Sequence, residues 1–377
     1  GNKTIVKKLM ESGAEINIQD IKGRTALMRA SFLGHDRVVK ELLKDLCLIN
    51  SISGDENDVR EYIIDKIKDV CEYSIDPLGS LICFKKGKKA PLKKLMICAH
   101  MDEVGLIVTS IRPDGTLCFG TVGGIDASVV IGRQVCVGKN HINGVVGSTA
   151  VHNLSKEQRE KAPKIDDFYI DIGAENKEDA EKYVQLGDCV YFKSEFVNLG
   201  NNRVKAKAID DRAGCAMMIK LMHEELEYDT YFVFNVQEEI GLRGSMVSSF
   251  AVEPDYAIVL EATTAADIDG ISGAKRVCEL GKGPVVSFMD RSTIYDKELY
   301  NLSFDIAKEH DIPCQTKTMI AGGNDAGAIH ISGKGVHTIA VSIPCRYLHS
   351  PSCVIQISDF ENSFILVKEL ARRIAEL

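Results

Sequence analysis

A chain of 377 residues with 45% hydrophobic and 27% charged side chains has the composition of two or three folded domains, which excludes a fully disordered protein. Its formal charge of −8 is uneven: residues 1–50 hold 9 Lys/Arg against 6 Asp/Glu, or +3, leaving −11 for the remainder, so no nucleic-acid partner is expected. No run of about 18 apolar residues occurs and no charged-then-apolar leader opens the chain, so no membrane partner is expected and the predicted location is cytoplasmic.

A repeat comes first. GNKTIVKKLM at residues 1–10 matches GHDRVVKELL at 34–43, and SGAEINIQD, Gly23 and Thr25-Ala26-Leu27 lie between them. This resembles the ankyrin repeat, a two-helix unit that buries its apolar face against a neighbour. The segment 1–50 is therefore predicted to form ankyrin-repeat helices, with a protein partner as one use. Because Gly1 falls inside the repeat, either further repeats precede it or the repeat leans on the domain that follows. Residues 49–58 are polar and read as a linker or helix lead-in, and a helix is predicted from Val59 to Val70.

Beyond the linker the pattern is α/β. Buried strands are predicted at Leu95–Ala99, Val104–Ile111, Tyr231–Val236, Tyr256–Leu260 and Thr338–Ile343, and helices at Ala213–Leu226, Lys297–His310 and Phe360–Ile374. Their alternation predicts a mixed, mostly parallel central sheet with helices on both faces. Residues 113–200 break the rhythm with Val- and Gly-rich short strands and one helix start near Asn176–Ala180, which predicts an inserted β-rich domain. Twelve cysteines are scattered without a CxxC pair, several in apolar segments such as Cys98 and Cys215, which predicts buried free thiols in a reducing compartment.

The chemistry is concentrated just after predicted strands, where ligands of open α/β sheets gather. Leu95–Ala99 delivers His100-Met-Asp102-Glu103, Tyr231–Val236 delivers Gln237-Glu238-Glu239, and Tyr256–Leu260 delivers Glu261. Thr338–Ile343 leads to Arg346-Tyr-Leu-His349-Ser-Pro351, and Asp210-Asp211-Arg212 precedes a predicted helix. Histidine and carboxylate donors without cysteine suit zinc or cobalt, with manganese also allowed. Two ions need a bridging carboxylate and terminal ligands: Asp210 bridging, His100 and Glu261 on one ion, Glu239 and His349 on the other. Glu238 is then free to act as general base, and Asp102 is placed to accept the distal N–H of His100. Asp211 and Arg212 are expected to anchor the loop behind Asp210, and Asp267 and Asp325 to line the pocket.

The motifs His100-Met-Asp-Glu-Val-Gly105, Asp210-Asp-Arg212, Gln237-Glu-Glu-Ile-Gly241, Leu260-Glu-Ala-Thr263 and Arg346-Tyr-Leu-His-Ser-Pro351 together resemble the tetrahedral (TET) aminopeptidases. These are the family forty-two co-catalytic metallopeptidases, which include glutamyl and deblocking aminopeptidases. The similarity covers residues 57–377, including Ser53-Gly-Asp-Glu-Asn-Asp-Val-Arg60 at its edge and Gly322-Gly-Asn-Asp-Ala-Gly327. It implies metal ligands at His100, Asp210, Glu239, Glu261 and His349, a general base at Glu238 and a ligand-orienting Asp102.

The implied fold is an α/β zinc-peptidase (phosphorylase/hydrolase-like) domain over 57–112 and 201–377, with a β-rich dimerisation domain inserted at 113–200. The implied substrates are peptides with a free N-terminus, and the implied assembly is a dimer-based homo-oligomer, up to a dodecamer. Two departures stand out: Asn324 occupies a position where relatives carry Thr, and an ankyrin stretch precedes the peptidase. His152, in the insertion, could reach a partner's site across a dimer. Rival readings are a glycosidase, which would leave the histidines idle, an ankyrin-led binding protein, and a zinc amidase or carboxypeptidase selecting a free carboxylate.

Overall fold

Apolar runs bounded by turn residues form the interior strands in the computed structural model, which describes residues 40–377. Most of the ankyrin-repeat segment at 1–50, including His35, lies outside the described residues. Its described end, residues 40–48, is helical and buries Leu43, Leu46 and Cys47 in the main core.

After helix α1 (Asn57–Ile67) come strands β1 (Glu72–Ile75), β2 (Leu81–Lys85) and β3 (Leu95–His100). Six strands follow: β4 (Gly105–Ile111), β5 (Leu117–Val122), β6 (Gln134–Val137), β7 (Ile142–Ser148), β8 (Phe168–Asp171) and β9 (Cys189–Phe192). The chain continues through β10 (Val197–Leu199), β11 (Arg203–Ala206), α2 (Ile209–Met222), β12 (Thr230–Asn235), α3 (Arg243–Val252) and β13 (Tyr256–Thr264). It closes with β14 (Val285–Val286), α4 (Lys297–Glu309), β15 (Gln315–Thr316), α5 (Ala326–Ile329), β16 (His337–Cys345), β17 (Cys353–Gln356) and α6 (Ile357–Ile374).

Eight strands form the central sheet in the order β1-β2-β12-β3-β13-β16-β14-β15. Its centre, β12-β3-β13-β16, is parallel, while β1, β2 and β14 pair antiparallel to their inner neighbours. The edge pair β14 and β15 is also parallel, so the sheet is mixed and mostly parallel, as expected. All six residues of β3 are buried, and since successive side chains point to opposite faces, both faces of the sheet are covered. Helix α2 packs on β3 and β13, α6 on β16, and α3 on β12. In α6 the buried Phe360, Phe364, Val367, Leu370 and Ile374 recur at helical spacing and form its inner stripe.

Strands β4 to β9 close into a barrel in the order β4-β5-β8-β7-β6-β9 around their own core of Leu106, Val108, Leu117, Phe119, Val135, Val146 and Ile170. The predicted strand at Val104–Ile111 is thus corrected: it pairs with β5 and β9 rather than joining the central sheet. The barrel strands lie between Gly105 and Phe192, shifted toward the N-terminus of the 113–200 insertion expected from sequence. Gly105 marks the crossing from sheet to barrel, where a Cβ would fall 2.3 Å from Ile52 Cγ2 and 3.0 Å from the Val190 carbonyl oxygen, so only glycine fits. All twelve cysteines are free. Among the described residues, no helix is long and apolar enough to cross a membrane.

Candidate active site

The carboxyl ends of the parallel strands bring the predicted residues together. His100 ends β3, Glu261 lies within β13, Glu238 and Glu239 follow β12, and His349 follows β16. Asp210 enters from the turn between β11 and α2, where Asp210 (φ −84°, ψ 108°) and Asp211 (φ −117°, ψ 42°) are not yet helical. The regular part of α2 therefore starts beyond the aspartate pair, and the Asp210–Asp211 peptide is cis. Left-handed backbone recurs at and beside these residues, at Ala208 (φ 53°), Gln237 (φ 56°), Tyr347 (φ 59°) and His349 (φ 54°). Such conformations cost about 1–3 kcal/mol each and gather where a site must be held in one geometry.

Asp210 presents its two oxygens to two different histidines. Nε2 of His100 lies 3.3 Å from Oδ1 of Asp210 and 3.5 Å from Oε1 of Glu261. Nε2 of His349 lies 3.4 Å from Oδ2 of Asp210 and 3.4 Å from Oε2 of Glu239. These separations are long for hydrogen bonds, which centre near 2.9 Å. They match donor atoms sharing an ion, since tetrahedral ligands at about 2.0–2.2 Å from zinc sit about 3.4 Å apart. In each triad, and in a third made of His100, Glu238 and Glu239, the ligand atoms fall within 4.8 Å of one another. The residues present thus fit a divalent pair in donor type and spacing.

The rings are oriented from behind. Nδ1 of His100 lies 3.1 Å from the carbonyl oxygen of Asp102 and 3.4 Å from its Oδ1. Nδ1 of His349 lies 2.8 Å from the carbonyl oxygen of Gly124, in the barrel loop after β5. Both neighbours only accept, so Nδ1 carries a proton on each ring, and loss of the second proton would leave Nε2 bare toward the centre. Gly123 (φ 85°) lets that barrel loop approach, since a Cβ there would meet Val104 Cγ1 at 2.8 Å and Glu239 Cβ at 3.3 Å. Asp102 also accepts from the backbone N–H groups of Glu238 (3.0 Å) and Glu239 (3.1 Å) and from Ser53 Oγ (2.6 Å).

The electrostatics are those of crowded carboxylates facing two histidines. Burial pushes Glu238 and Glu261 well above the ordinary glutamate range and Glu239 up to about 8. Burial also works against protonated histidine, but Asp210 and Glu239 outweigh it and hold His349 up to about 10. Asp102, Asp210 and Glu261 do the same for His100, and for Asp210 the two histidines outweigh burial and keep its carboxyl low. A site that gathers negative charge and holds its histidines protonated is one that divalent cations would neutralise, displacing those protons.

Arg212 is fully buried and donates to the carbonyls of Met101 (2.7 Å), Leu46 (2.7 Å) and Ser51 (3.2 Å), while Asp211 accepts from the Gly214 N–H at 2.9 Å. Both brace the turn behind Asp210. Asp267, expected to line the pocket, is held by Arg346 at the root of the His349 loop. Asp325 is buried and accepts from Asn235 Nδ2 at 2.8 Å, so it too is a supporting residue. Asn324 turns inward to the Tyr295 hydroxyl (3.1 Å) and accepts from the Ala326 N–H (2.9 Å). His152 lies exposed in the barrel, on the turn Val151–Asn153.

Sequence reasoning did not find Ser53 as a partner of Asp102, the Gly124 carbonyl, or the buried Glu103–Lys207 ion pair. A backbone carbonyl leaves no mark in a sequence, and although Ser53 opens a family motif, nothing in that motif names Asp102, 49 positions away, as its partner.

Residues 79–366 match the M42 glutamyl aminopeptidase family, and residues 22–53 match the ankyrin repeat. A lysyl aminopeptidase of Pyrococcus furiosus is 36% identical over 340 residues, covering 88% of this chain and 96% of that protein. A TET aminopeptidase from a marine-sediment Thaumarchaeota archaeon has TM-score 0.85 at 34% identity, covering 89% of this chain and 96% of that one. The Pyrococcus horikoshii TET1 peptidase, which can assemble into a tetrahedron or a large octahedral shell, has TM-score 0.78 at 35% identity, covering 88% and 99%. With the family match spanning most of the chain, over the strands and turns that bring the histidines and carboxylates together, this chain belongs to the M42 glutamyl aminopeptidase family.

Proposed function

We propose that this chain is a metal-dependent aminopeptidase that removes N-terminal residues from peptides through a two-metal site. The carrying observation is Asp210, whose two oxygens face two separate histidine–glutamate pairs. His100 and Glu261 would hold one ion, His349 and Glu239 the other, with Asp210 shared. The nitrogen and oxygen donor set favours zinc or cobalt and accommodates manganese. Such ions, when bound, polarise a scissile carbonyl and lower the pKa of water.

The chain's own residues supply the rest. Glu238 sits beside His100 and Glu239 but is not needed as a ligand. Its carboxylate takes the proton of the attacking water and passes it to the leaving amine. Burial raises its pKa, the direction a base working near neutrality requires. Asp102 holds that carboxylate in place through the Glu238 N–H while orienting His100.

The test is hydrolysis of aminoacyl and N-blocked p-nitroanilides by EDTA-stripped protein, with zinc, cobalt or manganese restored. Metal-restored cleavage confined to free-amine substrates is the expected result, and the panel names the preferred residue. Cleavage of blocked substrates would replace this reading with an amidase or deblocking activity. Silence in folded, metal-loaded protein would favour a binding role led by the ankyrin segment.

The TET relatives support a homo-oligomer. Dimers formed through the barrel and set along the edges of a tetrahedron would give a dodecamer, which light scattering of the purified chain would reveal. Twelve free cysteines support a reducing, cytoplasmic location.

A further inference from the structure

Residues 49–56, which run from the end of the ankyrin match to the start of α1, are built into the back of the candidate active site. Ser51 accepts at its carbonyl from the Glu103 N–H (3.1 Å) and from Arg212 Nη2 (3.2 Å), and its own N–H donates to Glu103 Oε1 (3.2 Å). Lys207, paired with Glu103 in the interior, donates to the Ile49 carbonyl at 2.9 Å. Two contacts reach further. Ser53 Oγ donates to Asp102 Oδ2 at 2.6 Å, and Glu56 Oε1 accepts from the N–H groups of Gly54 (2.8 Å) and Gln237 (3.1 Å). Ser53, Glu56 and Asp102 are all buried.

Resting on the aminopeptidase reading above, we infer that Ser53 and Glu56 are positioning residues of the reaction. Asp102 has its carboxylate divided among His100 Nδ1, two backbone N–H groups of the Glu238–Glu239 turn, and the Ser53 hydroxyl. The serine is the one donor to Asp102 among these that belongs to neither the His100 strand nor the Glu238–Glu239 turn, so it fixes Asp102 from an independent wall. Glu56 fixes the start of the same turn at Gln237, where the backbone is left-handed. Together they hold a metal-ligand histidine and the general base in one register. Ser53 is also the last residue of the ankyrin match, and the helical residues 40–48 before it are packed into the same core, so the geometry of catalysis is tied to that segment.

The experiment compares Ser53→Ala with the unmodified full chain. Three quantities are read: kcat and KM per folded, metal-loaded subunit, and zinc affinity by titration of the apo protein. Outer partners of metal ligands typically contribute about 10–100-fold. The expected result is a kcat lower by about tenfold, KM within about twofold, and zinc affinity weaker by about tenfold. Unchanged kcat and zinc affinity would overturn the inference. So would a loss that vanishes once rates are referred to folded, loaded subunits, since Ser53 would then only support folding. Should Ser53→Ala not fold, Ser53→Cys fills the same space with a weak donor and carries the same comparison. If the unmodified chain lacks aminopeptidase activity, that reading fails, and the zinc titration still judges Ser53 by itself.

Discussion

Asp267 grips Arg346 through two hydrogen bonds, Nε to Oδ1 at 2.6 Å and Nη2 to Oδ2 at 2.9 Å, at the root of the loop that carries His349. The pair is largely shielded, Asp267 being 6% and Arg346 19% exposed, and its fork geometry fixes direction as well as distance. Arg346→Ala should therefore loosen His349 and weaken metal binding by about tenfold, read by titration of the apo protein. Arg346→Lys should fail to restore it, because an ammonium cannot supply two parallel donors. Full recovery with lysine would show that charge alone matters.

Glu238→Gln should keep the metals and lose most turnover. The amide fills the same space but takes no proton, and general base catalysis contributes about 10²–10⁴-fold. Metal content by atomic emission and kcat on the best anilide check this together. Intact turnover in loaded protein would remove Glu238 from its assigned role.

Metal removal should lower thermal stability. Asp210, Glu238, Glu239 and Glu261 are crowded in a buried space, and ions bound there neutralise their repulsion. At about 100-fold excess over Kd, one bound ion adds about 2.7 kcal/mol. For a chain of this size that corresponds to a Tm shift of about 3–4 °C. Scanning fluorimetry of EDTA-stripped protein with and without zinc gives the number. An unchanged Tm would argue against ion binding at the cluster.

A pH effect is expected at the start of α6. Asp359, in the first turn of α6, accepts from the N–H groups of Gly281 (2.6 Å) and Gly283 (2.8 Å), yet burial pushes its pKa up to about 6 from 3.8. Because the folded state then holds its proton more tightly than the unfolded one, this contribution is fully present below about pH 4 and is lost as pH rises through about 6. Asp359→Asn should gain stability relative to the native protein across that interval. Denaturant unfolding of both at pH 4, 5, 6 and 7 tests it, and a difference constant with pH would refute it.

Much of the site was legible because its residues sit at ends of strongly apolar strands. Leu95–Ala99 was predicted as a strand and occupies Leu95–His100, which places His100 at its carboxyl end. Helix α3 was not legible, and its burial explains why: it buries Ser245, Ser248 and Ser249 while exposing Met246 (56%) and Phe250 (72%), so its apolar pattern is inverted. Strands β1, β14 and β15 escaped notice because β1 is exposed throughout and the other two are only two residues long.

The histidines and carboxylates that the fold gathers were legible from the chain alone, since hydropathy period and motif spacing are local properties written along it. The sequence also determined the α/β character and the β-rich interruption. Tertiary structure alone decided that β4 belongs to the barrel, that the Gly124 carbonyl orients His349, and that Ser53 reaches Asp102 across 49 positions of sequence. The reason is physical: these contacts join segments with no shared local pattern, and hydrogen bonds to backbone carbonyls or single hydroxyls become specified only when the chain has closed around them.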